Sequence, residues 1–420
     1  MWENEFSKNR DKYQPETLSL NLGYDAALSE GSVKVPIFMT STFEFKSAED
    51  GKRFFEYAYG LKERGVKEDP GLIYSRINNP NLQIFEERIA AWDGTDKGAV
   101  FSSGMSAITT TLLALLNPGD VIFASSPVYG GTYYFFTHML PKFGIEVVNY
   151  VSDENIAEKM EKDLTGKYKD KVKMIFLETP ANPSNVLVDI ESVTQLKKHN
   201  KDLIVAVDNT FLGPVFQKPA DFGADIIIYS ATKFIGGHSD LIAGVVTGPN
   251  KLMEMIGGYR TILGTMANPF TGWLLLRSLE TLSIRMERQA KNAIELAKLL
   301  KAHKNVEKVT YPALLEKGDP QKTIFDKQCK GFGAVIAFDI KGGEKEAFKV
   351  LDHFKVFRLA VSLGGTESLV EHPMRMTHSD VPPEHLSIIG VKESTIRISV
   401  GIEHVDDLKA DINNALSLLD

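Results

Sequence analysis

Residues 225–240 read DIIIYSATKFIGGHSD, and the reading of this stretch decides the fold. Ile226 to Ile228 form an apolar β-branched run typical of a buried strand, which ends in Tyr229, Ser230, Ala231, Thr232 and Lys233 before Gly236 and Gly237 break the pattern. A lysine therefore stands where a core strand runs out into a loop. In an open sheet of parallel strands, ligands collect at the carboxyl ends of the strands. A free lysine has a pKa near ~10.4 and is a poor nucleophile at neutral pH; surroundings that lower that value make it a good one. A lysine in a glycine-rich loop is more often a solvated charge, so the weight of the reading lies in what the chain places beside it.

Outward from this stretch, helical and strand patterns alternate. QIFEERIAAWDG (83–94) has helical spacing, GAVFSSG (98–104) is a short strand and MSAITTTLLALL (105–116) a helix. VIFASSP (121–127) is a strand, YGGTYYFFTHMLPKFG (129–144) a helix, and KVKMIFLET (171–179) and LIVAVD (203–208) are buried strands, the latter after VTQLKKH (193–199). Strands separated by helices imply crossover connections, hence an α/β fold with a mostly parallel sheet covered on both faces. The long apolar-periodic stretch 271–303 reads as one helix joining this unit to a smaller α/β set made of VEKVTYP, GAVIAFDI, EKEAFKVLDHF, TIRISVG and VDDLKADINNALSLL. The chain thus divides into an N-terminal arm, 1–75, a large domain, 76–280, and a C-terminal domain, 281–420.

The arm contains little that makes a core. VPIFMTSTFEF alternates weakly, and SAEDGKRFFEYAYGLKERG reads as a helix with Ser47 and Asp50 spaced as a capping box and Gly65 as a stop. An arm of this length is expected to pack on another surface, such as a second subunit.

At 420 residues, 43% hydrophobic and 25% charged, the chain has ordinary globular composition. The net charge of -7 argues against a nucleic-acid surface. Cys329 is the single cysteine, which excludes an intramolecular disulfide and a multi-cysteine metal site. The polar start MWENEFSKNRDKYQPE lacks the apolar core of a signal peptide, and no run approaches the ~18 apolar residues of a membrane span. A cytoplasmic protein is expected.

Several residues then gather around Lys233. Asp208 ends the strand LIVAVD, where a carboxylate is costly unless a cation or donors meet it; a turn residue is the plain reading, and a partner for a protonated ring nitrogen, as in pyridoxal phosphate enzymes, is the functional one. In FSSGMSA, small residues between strand and helix expose backbone N–H groups at a helix N-terminus, an anion cradle that Ser230 and Thr232 could complete, although an ordinary βα turn has the same composition. Tyr129 in PVYGGT could stack on a planar ring. Tyr74 and Arg76 share the polar loop YSRINNP, with Arg76 able to clamp a phosphate. Asn182 sits between two prolines in ETPANPSN, a rigid turn. In TIRISVG, Ile396, Ile398 and Val400 share one face and leave Arg397 and Ser399 on the other; arginine's fork suits a carboxylate. The chain has no GxxxxGK[ST], full GxGxxG, HExxH or GxSxG, and His372, His378 and His385 read as a polar loop.

From YSRINNP through SSGMSAI, PVYGGT, ETPANP, VDNTF and SATKFIGGHSD to AVSLGGTESLVEHP and RISVG, the chain resembles the Cys/Met-metabolism family of pyridoxal phosphate (PLP) enzymes. The resemblance implies the PLP-dependent transferase fold of type I, with Lys233 as the Schiff-base lysine and Asp208 at the pyridine nitrogen. Gly104, Met105, Ser230 and Thr232 would hold the phosphate, joined by Tyr74 and Arg76 of a neighbouring subunit. It places Tyr129 on the ring as stacking residue and acid, Asn182 at the phenolic oxygen, and Arg397 with Ser362 at the substrate carboxylate. A homotetramer built as a dimer of dimers, with active sites shared between subunits, follows from the same likeness.

The family's members differ in reaction. Those that bind cystathionine commonly carry a glutamate in the stretch where this chain has Val361, and an apolar residue suits a thioether without a distal charge, as in methionine γ-lyase. Bacterial methionine γ-lyases, however, commonly have a cysteine at the position of Gly131 and a Lys-Asp pair at the positions of Arg260 and Thr261. The expected activity is α,γ-elimination on a sulfur amino acid, giving a thiol, ammonia and 2-oxobutyrate. Alternatives are γ-replacement on an O-acylhomoserine, cystathionine γ-lyase activity, and, from another class, a PLP-binding regulator without turnover. The helix holding Phe54, Phe55, Tyr57 and Tyr59 is expected to shape the mouth of the neighbouring site.

Overall fold

The computed structural model describes residues 5–58, 60–63, 71–377, 379, 386 and 390–420 and builds them around two sheets. The large sheet holds β1 (Lys97–Phe101), β2 (Val121–Ser126), β3 (Glu146–Val151), β4 (Val172–Glu178), β5 (Ile204–Asp208), β6 (Ile226–Ser230) and β7 (Gly244–Gly248), in the order β1-β7-β6-β5-β4-β2-β3. Strands β3, β2, β4, β5 and β6 pair in parallel, whereas β7 runs antiparallel to both β1 and β6. The central strands are buried on both faces, which is why they read as continuous apolar runs. Strands β3 and β7 escape the sequence reading for opposite reasons: β3 is a largely exposed edge, and β7 is a short run bounded by glycines.

Helix Pro80–Asp93 shows how local chemistry sets an element's ends. The Asn79 side chain accepts from the Asn81 N–H, Pro80 stands at the first helical position, and Gly94 ends the helix at φ +69°. Helix Pro15–Asn21 of the arm packs against it: Arg88 donates to the carbonyls of Leu22 at 2.9 Å and Leu20 at 3.2 Å, and Trp92 Nε1 donates to Ser19 Oγ at 2.7 Å. Part of the arm therefore rests on its own chain. Ser47 Oγ accepts from the Asp50 N–H at 3.1 Å and caps helix Ala48–Ala58, while Tyr59 and the expected stop at Gly65 lie outside the described residues.

The single joining helix expected over 271–303 is corrected by the structure. It is two helices, Pro269–Leu279 and Leu282–Ala302, broken at Glu280 and Thr281. Arg285 accounts for the break. Its guanidinium donates to the carbonyl of Ser278 at 2.9 Å, relieving the end of the first helix, and to the carbonyls of Phe234 at 2.8 Å and Ile235 at 3.3 Å. One buried cation thereby ties the helix junction to the loop that follows Lys233.

The second sheet holds β8 (Val306–Thr310), β9 (Val335–Ile340), β10 (Arg358–Leu359), β11 (Leu369–Glu371) and β12 (Thr395–Ser399), in the order β10-β11-β12-β9-β8. Only β10 and β11 pair in parallel. Leu282, Met286, Ala293, Leu296 and Leu300 of the long helix pack in one hydrophobic cluster that also contains Phe85 and Ile227 of the large unit and Phe338, Ile396 and Ile398 of the small sheet. The core thus runs unbroken between the two sheets.

Gly237 adopts φ +68°, and a Cβ there would lie 1.8 Å from Arg285 Nη1. Gly237→Ala should cost about 2–4 kcal/mol through the left-handed backbone and the displaced clamp. Gly257→Ala, in the interior of helix Asn250–Leu263 with nothing within 4 Å of the added methyl, should stabilise by about 0.5–1 kcal/mol. Denaturant unfolding of the two variants measures the contrast.

Candidate active site

The carboxyl ends of β4, β5 and β6 open into a cavity of about 430 Å³. Glu178, Asp208 and Ser230 end those three strands, and the register places Glu178 beside Asp208 and Asp208 beside Ile228. After Ser230 the chain turns tightly, with the Lys233 N–H donating to the Ser230 carbonyl at 3.1 Å and the Gly237 N–H to the Lys233 carbonyl at 2.7 Å. Lys233 lines the cavity, half-buried, and its Nζ donates to Ser362 Oγ at 2.9 Å.

Loss of hydration lowers the Lys233 amine to about 8; the nearby Arg397 charge pushes the same way and Glu371 opposes it. Burial raises Glu178, and the neighbouring Asp208 charge adds to this. Burial also raises Asp208, against the hydrogen bonds from Thr210. Thr210 orients this acid: its N–H donates to Asp208 Oδ1 at 3.1 Å and its hydroxyl at 2.6 Å, while Thr210 Oγ1 accepts from the Ser230 N–H at 2.9 Å. Glu178 joins two other walls, accepting from the N–H of Tyr129 at 2.7 Å and of Asn182 at 3.2 Å.

Helix Gly104–Leu115 points its N-terminus into the cavity, capped by Ser103, whose side chain accepts from the Ser106 N–H at 3.0 Å. Gly104 passes so close to Ser230 that a Cβ would lie 2.8 Å from the serine's own. Backbone N–H groups at a bare glycine, beside a serine hydroxyl and a helix N-terminus, form an anion cradle. The Thr232 hydroxyl exchanges hydrogen bonds with the backbone of Ala243 at 3.1 and 3.2 Å, so Ser230 is the less committed hydroxyl.

On the facing side, Arg397 Nη1 donates to Asn182 Oδ1 at 3.1 Å and Nη2 to the Ser362 carbonyl at 2.7 Å. Ser362 holds φ +100°, a conformation that costs a non-glycine residue about 1–3 kcal/mol and persists only where the surroundings impose it. Here Lys233 grips its hydroxyl and Arg397 its carbonyl. Val361, Ile242, Leu363 and Met376 give the cavity an apolar wall.

Lys233, Asp208, Gly104, Met105, Ser230, Thr232, Tyr129, Asn182, Val361, Ser362 and Arg397 therefore line one cavity. Tyr74 and Arg76 do not. Both are exposed, with Arg76 donating to the Thr261 carbonyl at 2.7 Å and lying 5.8 Å from the Tyr74 ring centre. Arg260 is buried against Glu86 at 2.5 Å and the Val100 carbonyl at 3.0 Å, a structural use of its charge. At Gly131 a Cβ would stand 2.7 Å from Tyr129 Cε1 and 3.0 Å from Met105 Sδ, so the tyrosine ring occupies the space of any side chain. Sequence reasoning missed Glu178, Thr210 and Glu371. Glu178 ends an apolar strand as Asp208 does, and the same argument could have found it. His372 caps a turn in the loop after β11, as expected, while His378 and His385 lie outside the described residues. Among the described residues no group of His, Cys, Asp and Glu could hold a metal ion.

A nucleophilic amine, a buried acid and an anion cradle around one cavity, at the strand ends of a mostly parallel sheet, fit pyridoxal phosphate and define an enzyme of the fold-type-I PLP class. The comparisons narrow this. The family described as Cys/Met metabolism PLP-dependent enzyme matches residues 16–417, and the chain belongs to that family. It is 39% identical over 388 residues to an L-methionine gamma-lyase of Fusobacterium nucleatum subsp. nucleatum, covering 92% of this chain and 94% of that one. A cystathionine gamma-lyase of Dictyostelium discoideum is 36% identical over 412 residues, 97% of this chain and 98% of the relative. Among solved structures, a cystathionine gamma synthase from Xanthomonas oryzae pv. oryzae superposes with a TM-score of 0.85 at 32% identity, covering 96% of this chain and 98% of that chain.

The neutral amine is the nucleophile, so a lowered pKa raises its share at neutral pH, from roughly one in a few thousand for a free lysine to roughly a tenth. In cofactor-free protein, acylation of Lys233 followed by peptide mass spectrometry should reach its half-maximal rate near pH 8. A midpoint near ~10.4 would contradict the environment described.

Proposed function

We propose that this enzyme catalyses α,γ-elimination from a methionine-like amino acid, which with one water yields a thiol, ammonia and 2-oxobutyrate. The observation that carries this reading is the apolar wall of Ile242, Val361, Leu363 and Met376, which offers nothing to a distal ammonium and suits a thioether. The L-methionine gamma-lyases at 36–39% identity support it.

In this reading Lys233 would hold the cofactor's aldehyde, Asp208 would face the ring nitrogen, and Gly104, Met105, Ser230 and Thr232 would receive the phosphate. Tyr129 would cover the ring and Asn182 would meet its phenolic oxygen. Bound there, the cofactor would supply an electron sink for the pair left behind when a proton leaves Cα. Lys233, with its lowered proton affinity, takes that proton and returns one further along. Arg397 and Ser362 fix the substrate carboxylate, and the Tyr129 hydroxyl protonates the departing sulfur.

Tyr74 and Arg76, exposed and outside their own cavity, complete the phosphate cradle of a neighbouring copy in a dimer of dimers. Met255, Tyr259, Ile262 and Leu263 leave an exposed apolar stripe on helix Asn250–Leu263 that supports such assembly. The aromatic helix Ala48–Ala58 of the arm, with Phe55 exposed, would lie at the neighbour's mouth. The acidic balance and single cysteine favour the cytoplasm, and among the described residues no helix is long and apolar enough to cross a membrane.

One feature favours a second reading, γ-replacement. A second cavity of about 470 Å³, lined by Gly131, Tyr134 and Met139 and sharing Met105, Tyr129 and Thr377 with the first, offers room for an incoming thiol.

Methionine alone should give steady 2-oxo acid release in a coupled assay; product formed only from O-acetylhomoserine plus a thiol would establish replacement instead. Lys233→Ala should lose the coloured enzyme-bound cofactor, and Val361→Glu should shift kcat/KM about tenfold toward cystathionine by supplying a charge for its distal ammonium.

A further inference from the structure

Arg397 does not enter the cavity as a free cation. Strands β11 and β12 pair antiparallel with Glu371 directly opposite Arg397, and the Glu371 carboxylate meets Arg397 Nη1 at 2.9 Å. The two side chains are 1% and 3% exposed, so the pair is held out of water. Glu371 Oε1 also accepts from the Thr377 hydroxyl at 2.9 Å, and Thr377 lines the cavity. With Nη1 spent on Glu371 and Asn182, and Nη2 donating to Ser362, Arg397 Nε and Glu371 Oε2 remain without partners.

We infer that Glu371 is a positioning residue: it aims the Arg397 fork at the substrate α-carboxylate and withholds part of its charge, so that carboxylates are recognised without being trapped. The inference rests on the reading that Arg397 binds that carboxylate. A guanidinium in a desolvated cavity with no counter-charge grips any carboxylate strongly. Methionine and 2-oxobutyrate both carry one, so such a grip is uniform binding, which lowers KM without raising kcat and holds the product as firmly as the substrate. An acid on the far side of the guanidinium weakens the grip on both. Burial pushes the Glu371 carboxyl up and Arg397 pulls it down.

The same charge reaches Lys233. The charged groups set around that amine are Arg397 and Glu371 from the small sheet and Glu178 and Asp208 from the large one, and of the small-sheet pair Arg397 lowers the amine and Glu371 raises it. Removing the charge of Glu371 leaves Arg397 uncompensated there.

Glu371→Gln keeps the shape and an oxygen for Arg397 and Thr377 while removing the charge. The probe is 4-(methylthio)butanoate, which is methionine without its amine and keeps the carboxylate and thioether at the same spacing. In the cofactor-loaded Glu371→Gln enzyme its inhibition constant should fall at least fivefold, and the KM for methionine and the inhibition constant of 2-oxobutyrate should fall with it while kcat does not rise. In cofactor-free protein the pH midpoint of Lys233 acylation should drop by half a unit or more, a shift that a merely structural role would not produce. An unchanged or raised inhibition constant, or an unmoved midpoint, overturns the inference. If Glu371→Gln does not fold, Glu371→Asp, which lengthens the ion pair, should move both readings the same way by less, and no movement overturns the inference equally. Arg397→Lys separates the two levels. If it leaves the inhibition constant unchanged, the carboxylate does not bind there and the underlying reading fails; if it raises the constant tenfold while Glu371→Gln does not lower it, only the role of Glu371 fails.

Discussion

Everything around the cavity answers to the cost of keeping charge away from water. Lys233 and Arg397 stand with Glu178, Asp208 and Glu371 in or against one pocket, and each is held by a specific partner. Arg397 has Glu371, Asn182 and the Ser362 carbonyl; Asp208 has Thr210; Glu178 has two backbone N–H groups. A charge so placed is fixed in direction as well as in ionisation, because losing the partner costs more than the pair contributes. Strand ends are where a sheet can present side chains on rigid supports, and four of these five charges leave from strand ends or strands.

Much of this was legible in the amino-acid order. The runs Val172–Glu178, Ile204–Asp208 and Ile226–Ser230 are buried on both faces, so they read as strands without any knowledge of their neighbours. Lys233, Asp208 and Gly104 could be picked out because each interrupts a regular pattern at its end. Glu371 could not: its meaning comes from facing Arg397 across β11 and β12, a register that no local pattern encodes. The break at Glu280 and Thr281 was hidden for a related reason, since the apolar period continues through it while Arg285 and Thr281 both turn to the Ser278 carbonyl. Tyr74 and Arg76 illustrate a further limit, since in one chain both are exposed and away from the cavity.

Lys233 is also held from behind. Its loop hangs on Arg285, on the approach of Gly364, whose Cβ would come within 2.7 Å of the Phe234 nitrogen, and on the bond from Nζ to Ser362. Two of these three ties come from the small sheet's side. The Lys233 amine is thus located by both halves of the molecule together, and the unusual backbone of Ser362 lies at their meeting point.

The uninterrupted apolar core between the sheets has a mechanical corollary. A hinge swinging one half away from the other would have to tear Leu282, Met286 and Leu296 from their packing, exposing buried hydrocarbon at a cost of about 1.5–3 kcal/mol per side chain. The packing shared by the two sheets therefore opposes any such swing.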